Sequence, residues 1–231
     1  MLRIRILILI LSAPFLTNCA SVANVKKLED GNKILVISSL GDTLSVNTVG
    51  VTAFSNSFKG FEMSGWRTDE YLQKITSELV DGSRFSSVTS SEGHELPVFT
   101  ENMLTGGVDF NGAKDKVQEI ALSSGADTIL VISNFSRGDP FFNTNQRING
   151  YGYYQKRYIG TAKSINYVFF GIGVYDARSM RMLAGKVRSE SIPSTIYISR
   201  LTKEKVNDEQ EKYRELMMLA VRGILQKLTI I

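Results

Sequence analysis

The chain has 231 residues, a formal net charge of +4, one cysteine and one histidine. A lone cysteine excludes an intramolecular disulfide and any cysteine-based zinc site, and a lone histidine excludes a multi-histidine metal centre. With 43% hydrophobic and 22% charged residues, the composition is that of a globular chain rather than a disordered one. The first element in chain order is a targeting segment. Arg3 and Arg5 precede an apolar run from Ile6 to Leu16, the layout of a secretory signal peptide. At 11 residues the run is too short for a permanent membrane span, which takes about 20. Residues 1–18 are therefore read as a signal. Its two arginines are its only charges, so 25 basic and 23 acidic residues follow it, with no basic excess that would argue for nucleic acid.

Leu16-Thr17-Asn18-Cys19 resembles the lipobox of bacterial lipoproteins. The resemblance implies that Cys19 is acylated and that its acyl chains hold the protein to a membrane. It further implies, because Ala20 rather than Asp follows the cysteine, an outer-membrane location facing the periplasm. Asn18 departs from the small residue that usually precedes the cysteine. Ser21-Val22-Ala23 offers ordinary signal peptidase another cut, which would discard the cysteine. Residues 19–32, small and polar with Lys26, Lys27, Glu29 and Asp30, read as the lipidated tether.

Residues 33–231 read as a single periplasmic domain. Ile34 to Ser38 is a continuous, β-branched apolar run, the pattern of a strand buried on both faces. Leu44, Val46, Val49, Val51 and Phe54 suggest a second extended segment after the turn at Gly41-Asp42. A first helix is predicted over 68–80, with Thr68 as N-cap, Asp69 and Glu70 in its first turn and Gly82 to end it. A weak strand at 85–89 and a glycine-rich loop at 90–110 follow. A second helix is predicted over 112–124 with Gly125 as C-cap, then a strand at 128–133. Ile165 to Tyr175, the turn at 176–179 and Met182 to Glu190 read as a β-hairpin. The apolar stripe of Tyr213, Leu216, Met217, Ala220, Val221, Ile224, Leu225 and Leu228 predicts a terminal amphipathic helix over 207–227, packed on the sheet. The fold class expected is α/β (α+β), with a mixed central sheet of about five to seven strands, two helices and the C-terminal helix packed on it.

Between these elements, 134–164 reads as a long aromatic loop. It holds Phe141, Phe142, Tyr151, Tyr153, Tyr154 and Tyr158, with Lys156 and Arg157 interleaved and glycines between the rings. Long connections of this kind are usually functional, and aromatic–basic mixtures bind partner proteins, stack on sugars or lie at a membrane interface. These eight residues are the partner- or ligand-binding candidates. His94, in the polar loop Ser90-Ser-Glu-Gly-His-Glu95, is read as a surface residue. Neither it nor Glu92 and Glu95 amounts to a catalytic or metal set. Gly171-x-Gly173 lies within a strand and reads as close packing or a bulge rather than a phosphate cradle. No enzyme, cofactor or metal is expected.

The order of elements, the lipobox, the Val-Ile-Ser runs at 36–38 and 131–133, the Gly125-Ala126-Asp127 link, the 165–190 hairpin and the terminal helix together resemble a periplasmic α/β domain. That domain is shared by the curli-secretion channel lipoprotein, the exopolysaccharide-secretion ring lipoprotein, peptidoglycan-synthase activator lipoproteins and the N-terminal domain of the Tol propeller protein. The resemblance covers about residues 33–228. It implies a non-enzymatic lipoprotein that works through protein–protein contacts in envelope assembly or secretion, its partner unnamed, with a homo-oligomer as one option. The alternative is a glycan- or polysaccharide-binding module using the aromatics of 141–158.

Overall fold

The computed structural model describes residues 28–88, 96–101, 107–197 and 200–231. The signal segment, Cys19 and His94 with Glu92 and Glu95 lie outside the described residues. All three apolar clusters are built from residues 28–230, so the chain beyond residue 27 carries its own core.

β1 (Lys33–Ser39) and β7 (Thr128–Asn134) pair in parallel, with Ile34 opposite Thr128 and Ser39 opposite Ser133. Their apolar runs are continuous because alternate residues enter different clusters. Ile34 and Val36 join one, Leu35 and Ile37 the other. β2 (Thr43–Val49) pairs in parallel with β10 (Gly150–Tyr158). β11 (Thr161–Asp176) runs antiparallel to both β10 and β7 along one edge, and to β12 (Met182–Pro193) along the other. The register makes β7 and β10 a single interrupted row. Asn134 faces Phe170 and Gly150 faces Phe169, the next residue of β11. β1 and β2 form the neighbouring row, interrupted by residues 40–42. β3 (Ser57–Glu62) pairs antiparallel with β2, and β4 (Ser86–Val88) pairs in parallel with β1. The sheet is thus mixed and eight-stranded, more than the five to seven expected, because three of its five rows consist of two strands each.

The break at 40–42 is a jog rather than a reversal. Gly41 has a positive φ of +82°, and Asp69 holds the jog from α1 (Thr68–Asp81), accepting from Ser38 Oγ at 2.6 Å, Leu40 N at 2.7 Å and Gly41 N at 3.1 Å. Asp42 returns the contact, accepting from Thr68 N at 2.8 Å. Thr68 is therefore the first helical residue rather than the cap. Arg67 occupies the cap position in the left-handed region, at φ 50°.

One face of the sheet packs against α1 and α4 (Gln210–Lys227), whose Leu216, Met217, Ala220, Val221, Ile224 and Leu225 are buried. The predicted last helix is α4, starting three residues later than the expected 207. A five-residue α3 (Lys203–Asn207), capped by Thr202, precedes α4, with a turn at Asp208 between them. The opposite face is covered in two parts. α2 (Lys114–Ser123) covers one end with Val117, Ile120 and Ala121. It starts two residues later than predicted, since Asn111 and Gly112 have positive φ. The segment 135–149 covers the other end, its Ile148 packing with Val49, Tyr154, Tyr167 and Phe169 of the sheet. It contains the small pair β8 (Arg137–Gly138) and β9 (Arg147–Ile148). β5 (Thr100–Glu101) and β6 (Val108–Asp109) form a separate small pair. No described helix is long and apolar enough to cross a membrane.

Gly171 and Gly173 are explained by aromatic packing. A Cβ at Gly171 would lie 2.5 Å from the Phe135 ring, and one at Gly173 would lie 2.7 Å from the Tyr175 ring. Bare glycine backbone there lets a ring lie flat on the sheet.

Candidate interaction surface

The predicted aromatic loop is a loop only in part. From Gly150 to Tyr158 it is an interior strand of the sheet, and its side chains alternate between faces. Tyr151 and Tyr153 point towards α4. Tyr151 stacks with Trp66 at 6.1 Å and meets Tyr213 edge-on. Its hydroxyl shares a hydrogen bond of 3.0 Å with Thr68 and donates to Gly41 O. The Tyr153 hydroxyl donates to Ile196 O. Tyr154 points the other way, beneath the 135–149 segment, with Phe142 against its ring at 4.9 Å. Phe141 packs on Tyr167 at 5.4 Å. Tyr151, Tyr153 and Tyr154 are fully buried and Phe141 and Phe142 half-buried. Tyr151, Tyr154, Phe141 and Phe142 each pack on another ring and Tyr153 is buried in the core, so the glycan-stacking role read from sequence has no open platform among them.

Burial has a measurable consequence. Desolvation holds the hydroxyls of Tyr71, Tyr151, Tyr153, Tyr154, Tyr167, Tyr175 and Tyr213 protonated above the usual tyrosine range. The unfolded chain releases these protons near pH 10, so stability falls as the pH rises beyond that value. In an alkaline titration followed at 295 nm, these tyrosines are expected to ionise only in a late step coincident with loss of far-ultraviolet circular dichroism. A smooth titration of all nine tyrosines near pH 10 with the fold intact would contradict the packing.

Asp139, also buried, organises the covering segment. One carboxylate oxygen accepts from Phe141 N at 2.8 Å and Phe142 N at 3.0 Å. The other accepts from Thr144 N at 3.1 Å, Thr144 Oγ1 at 2.7 Å and Tyr154 OH at 2.7 Å. Burial pushes its pKa up, but the donors, led by the Phe142 N–H, outweigh burial and hold it below the usual aspartate value. This is a latch between the segment and the sheet, with every carboxylate oxygen engaged.

What remains open lies at one end and one edge of the sheet. The end opposite Lys33 carries the β2–β3 and β10–β11 turns side by side, because Val49 pairs with Lys156. Phe54 and Ile159 are 101% and 90% exposed there, and Val51, Phe58 and Tyr158 are exposed beside them. Arg157, Lys59 and Lys163 are exposed, whereas Lys156 is half-buried, donating to Phe142 O at 3.2 Å and lying 5.2 Å from the Tyr158 ring. Of the candidates from sequence, Arg157 and Tyr158 reach this surface. Val51, Phe54, Phe58 and Ile159 were not singled out. Along the side of the sheet, β12 presents its outer edge, and no other described strand pairs with it.

A shallow cleft of about 340 Å³ lies between the residues before α1 and α3, lined by Met63, Ser64, Gly65, Trp66, Lys203, Glu204 and Asn207. Its floor is closed by Trp66, whose Nε1 donates to Asn207 Oδ1 at 2.8 Å. Among the described residues no group of three or more histidine, cysteine, aspartate or glutamate side chains is placed to hold a metal ion.

No protein-family model matches the chain, and no curated protein does. The chain is similar to several solved structures. One is a PelC dodecamer from Paraburkholderia phytofirmans, at 10% identity over 88% of this chain and 92% of that one, with a TM-score of 0.38. Another is lipoprotein GNA1162 from Neisseria meningitidis, at 14% identity over 80% and 99%, with a TM-score of 0.34. A third is the LpoB C-terminal domain from Salmonella enterica, at 13% identity over 76% and 96%, with a TM-score of 0.29. At these scores none of the likenesses carries a function to this chain.

Proposed function

We propose that this chain is a lipoprotein anchored in the outer membrane, facing the periplasm, that works without catalysis through protein–protein contacts in envelope assembly or secretion. Residues 1–18 direct export, and Cys19 holds the acyl chains. The observation that supports the contact reading is the outer edge of β12, twelve residues long with its ladder groups unpaired among the described residues. An open edge of this length accepts an added strand, with main-chain hydrogen bonds giving affinity and alternate side chains giving specificity. Lys186, Arg188, Glu190 and Pro193 restrict which strand can pair, as charges and proline do on natural edges.

The test is photocrosslinking in intact cells from Lys186 or Ser189, alongside metabolic labelling with palmitate. A discrete envelope-protein adduct from the β12 positions, with a label that Cys19→Ser abolishes, is the expected result. An unlabelled mature chain that yields no adduct from either position overturns the reading.

A further inference from the structure

We propose that the hairpin ends at the far end of the sheet form a membrane-docking surface that takes an anionic bilayer, separate from any acyl anchor. Phe54 and Ile159 stand fully out of the fold at the tips of neighbouring turns, with Val51, Phe58 and Tyr158 around them. Exposed apolar groups gathered in this way mark an interaction site. The charges around them have one sign. No aspartate or glutamate occurs between Asp42 and Glu62, or between Asp139 and Asp176, whereas Lys59, Lys156, Arg157 and Lys163 all do.

Two acids reach these strands from other segments: Asp139, engaged by Phe141, Phe142, Thr144 and Tyr154, and Glu209, whose Oε2 accepts from Asn166 at 2.6 Å and which pairs with Lys212. Asp139 is buried with both oxygens engaged, and Glu209 is engaged by Asn166 and Lys212. Phe54 and Ile159 are exposed side chains at the two turns, 101% and 90% accessible. A bilayer interface needs no matching shape and admits aromatic and aliphatic side chains at the depth where lysine and arginine meet anionic headgroups.

The surface is placed far from the chain's entry into the fold. Lys33 lies at the Asp176 end of β11, whereas the tips lie at its Thr161 end. Contact made there is therefore distinct from contact made through residues 19–32, and it can be measured without them.

The experiment is co-sedimentation of residues 28–231 with vesicles of phosphatidylethanolamine and phosphatidylglycerol, and with vesicles of phosphatidylcholine alone. No acylated residue is present in that chain, so failure of the acylation reading leaves the result untouched. The expected result is binding to the anionic vesicles, weakened by salt. Phe54→Ser with Ile159→Ser, and separately Arg157→Glu with Lys163→Glu, each lower the bound fraction by roughly tenfold at unchanged thermal midpoint. Equal binding to both vesicle types, or equal binding by all three chains, overturns the proposal. Absence of binding to either vesicle overturns it as well and assigns the tips to a protein partner.

Discussion

Replacing Gly152 by alanine is expected to destabilise the domain by about 3 kcal/mol, a fall of roughly 6–12 °C in the thermal midpoint for a chain of this size. Gly152 lies opposite Ser45 in the parallel ladder of β10 and β2. A Cβ there would sit 1.9 Å from Ser45 O and 2.8 Å from its carbonyl carbon. Both obstacles are backbone, so no rotamer change relieves them. β10 is held on its other side by β11, and β2 by β3. The control is Gly65→Ala, where nothing lies within 4 Å of the added atom, and its stability should stay within about 0.5 kcal/mol of the parent. Calorimetry of the two variants decides the matter, and equal midpoints would mean that β2 and β10 do not approach as described.

Asp139→Ala should cost about 2–4 kcal/mol, more than one charge-assisted hydrogen bond but less than the sum of five, since the covering segment relaxes and water reaches the freed N–H groups. The loss should be local in hydrogen exchange. Amides of 139–148 lose protection, while those of β1 and β7 keep theirs. The pH dependence follows from the direction of the shift. The folded carboxyl titrates below its unfolded value of about 3.9. Its stabilisation is complete above that value and disappears as the pH falls through the folded pKa. Asp139→Asn removes this titration, so the gap in urea midpoint between parent and variant should be wide at neutral pH and close under strongly acidic conditions. A gap of constant width would show that the carboxylate charge contributes nothing.

The residues that announced their structure in sequence were those whose packing is local or periodic. The runs at β1 and β7 are apolar at every position because both faces are covered, and the α4 stripe repeats because one side meets the sheet. β10 was hidden by its glycines. In sequence Gly150 and Gly152 punctuate a loop, but Gly152 is there because Ser45 comes too close for any side chain. The jog at Gly41-Asp42 reads as a reversal because the carboxylate that keeps β1 and β2 in one direction, Asp69, comes from a helix further along the chain.

The open surface was legible only at Arg157 and Tyr158. Phe54 and Ile159 are unremarkable apart. They become a surface because strands about a hundred residues apart in sequence pair side by side and leave both turns at the same end.

The two interrupted rows have a mechanical consequence. β11 is sixteen residues long, about 50 Å at ordinary strand rise, and the β7–β10 row runs alongside it. A pull between the Lys33 end and the hairpin tips acts along the strands, so the ladder hydrogen bonds are loaded in shear and share the force. The same force applied across the sheet would open them one at a time. Held at both ends, the domain is a stiff strut whose weak points under tension are the two breaks, at 40–42 and 135–149. The carboxylates of Asp69 and Asp139 fasten them.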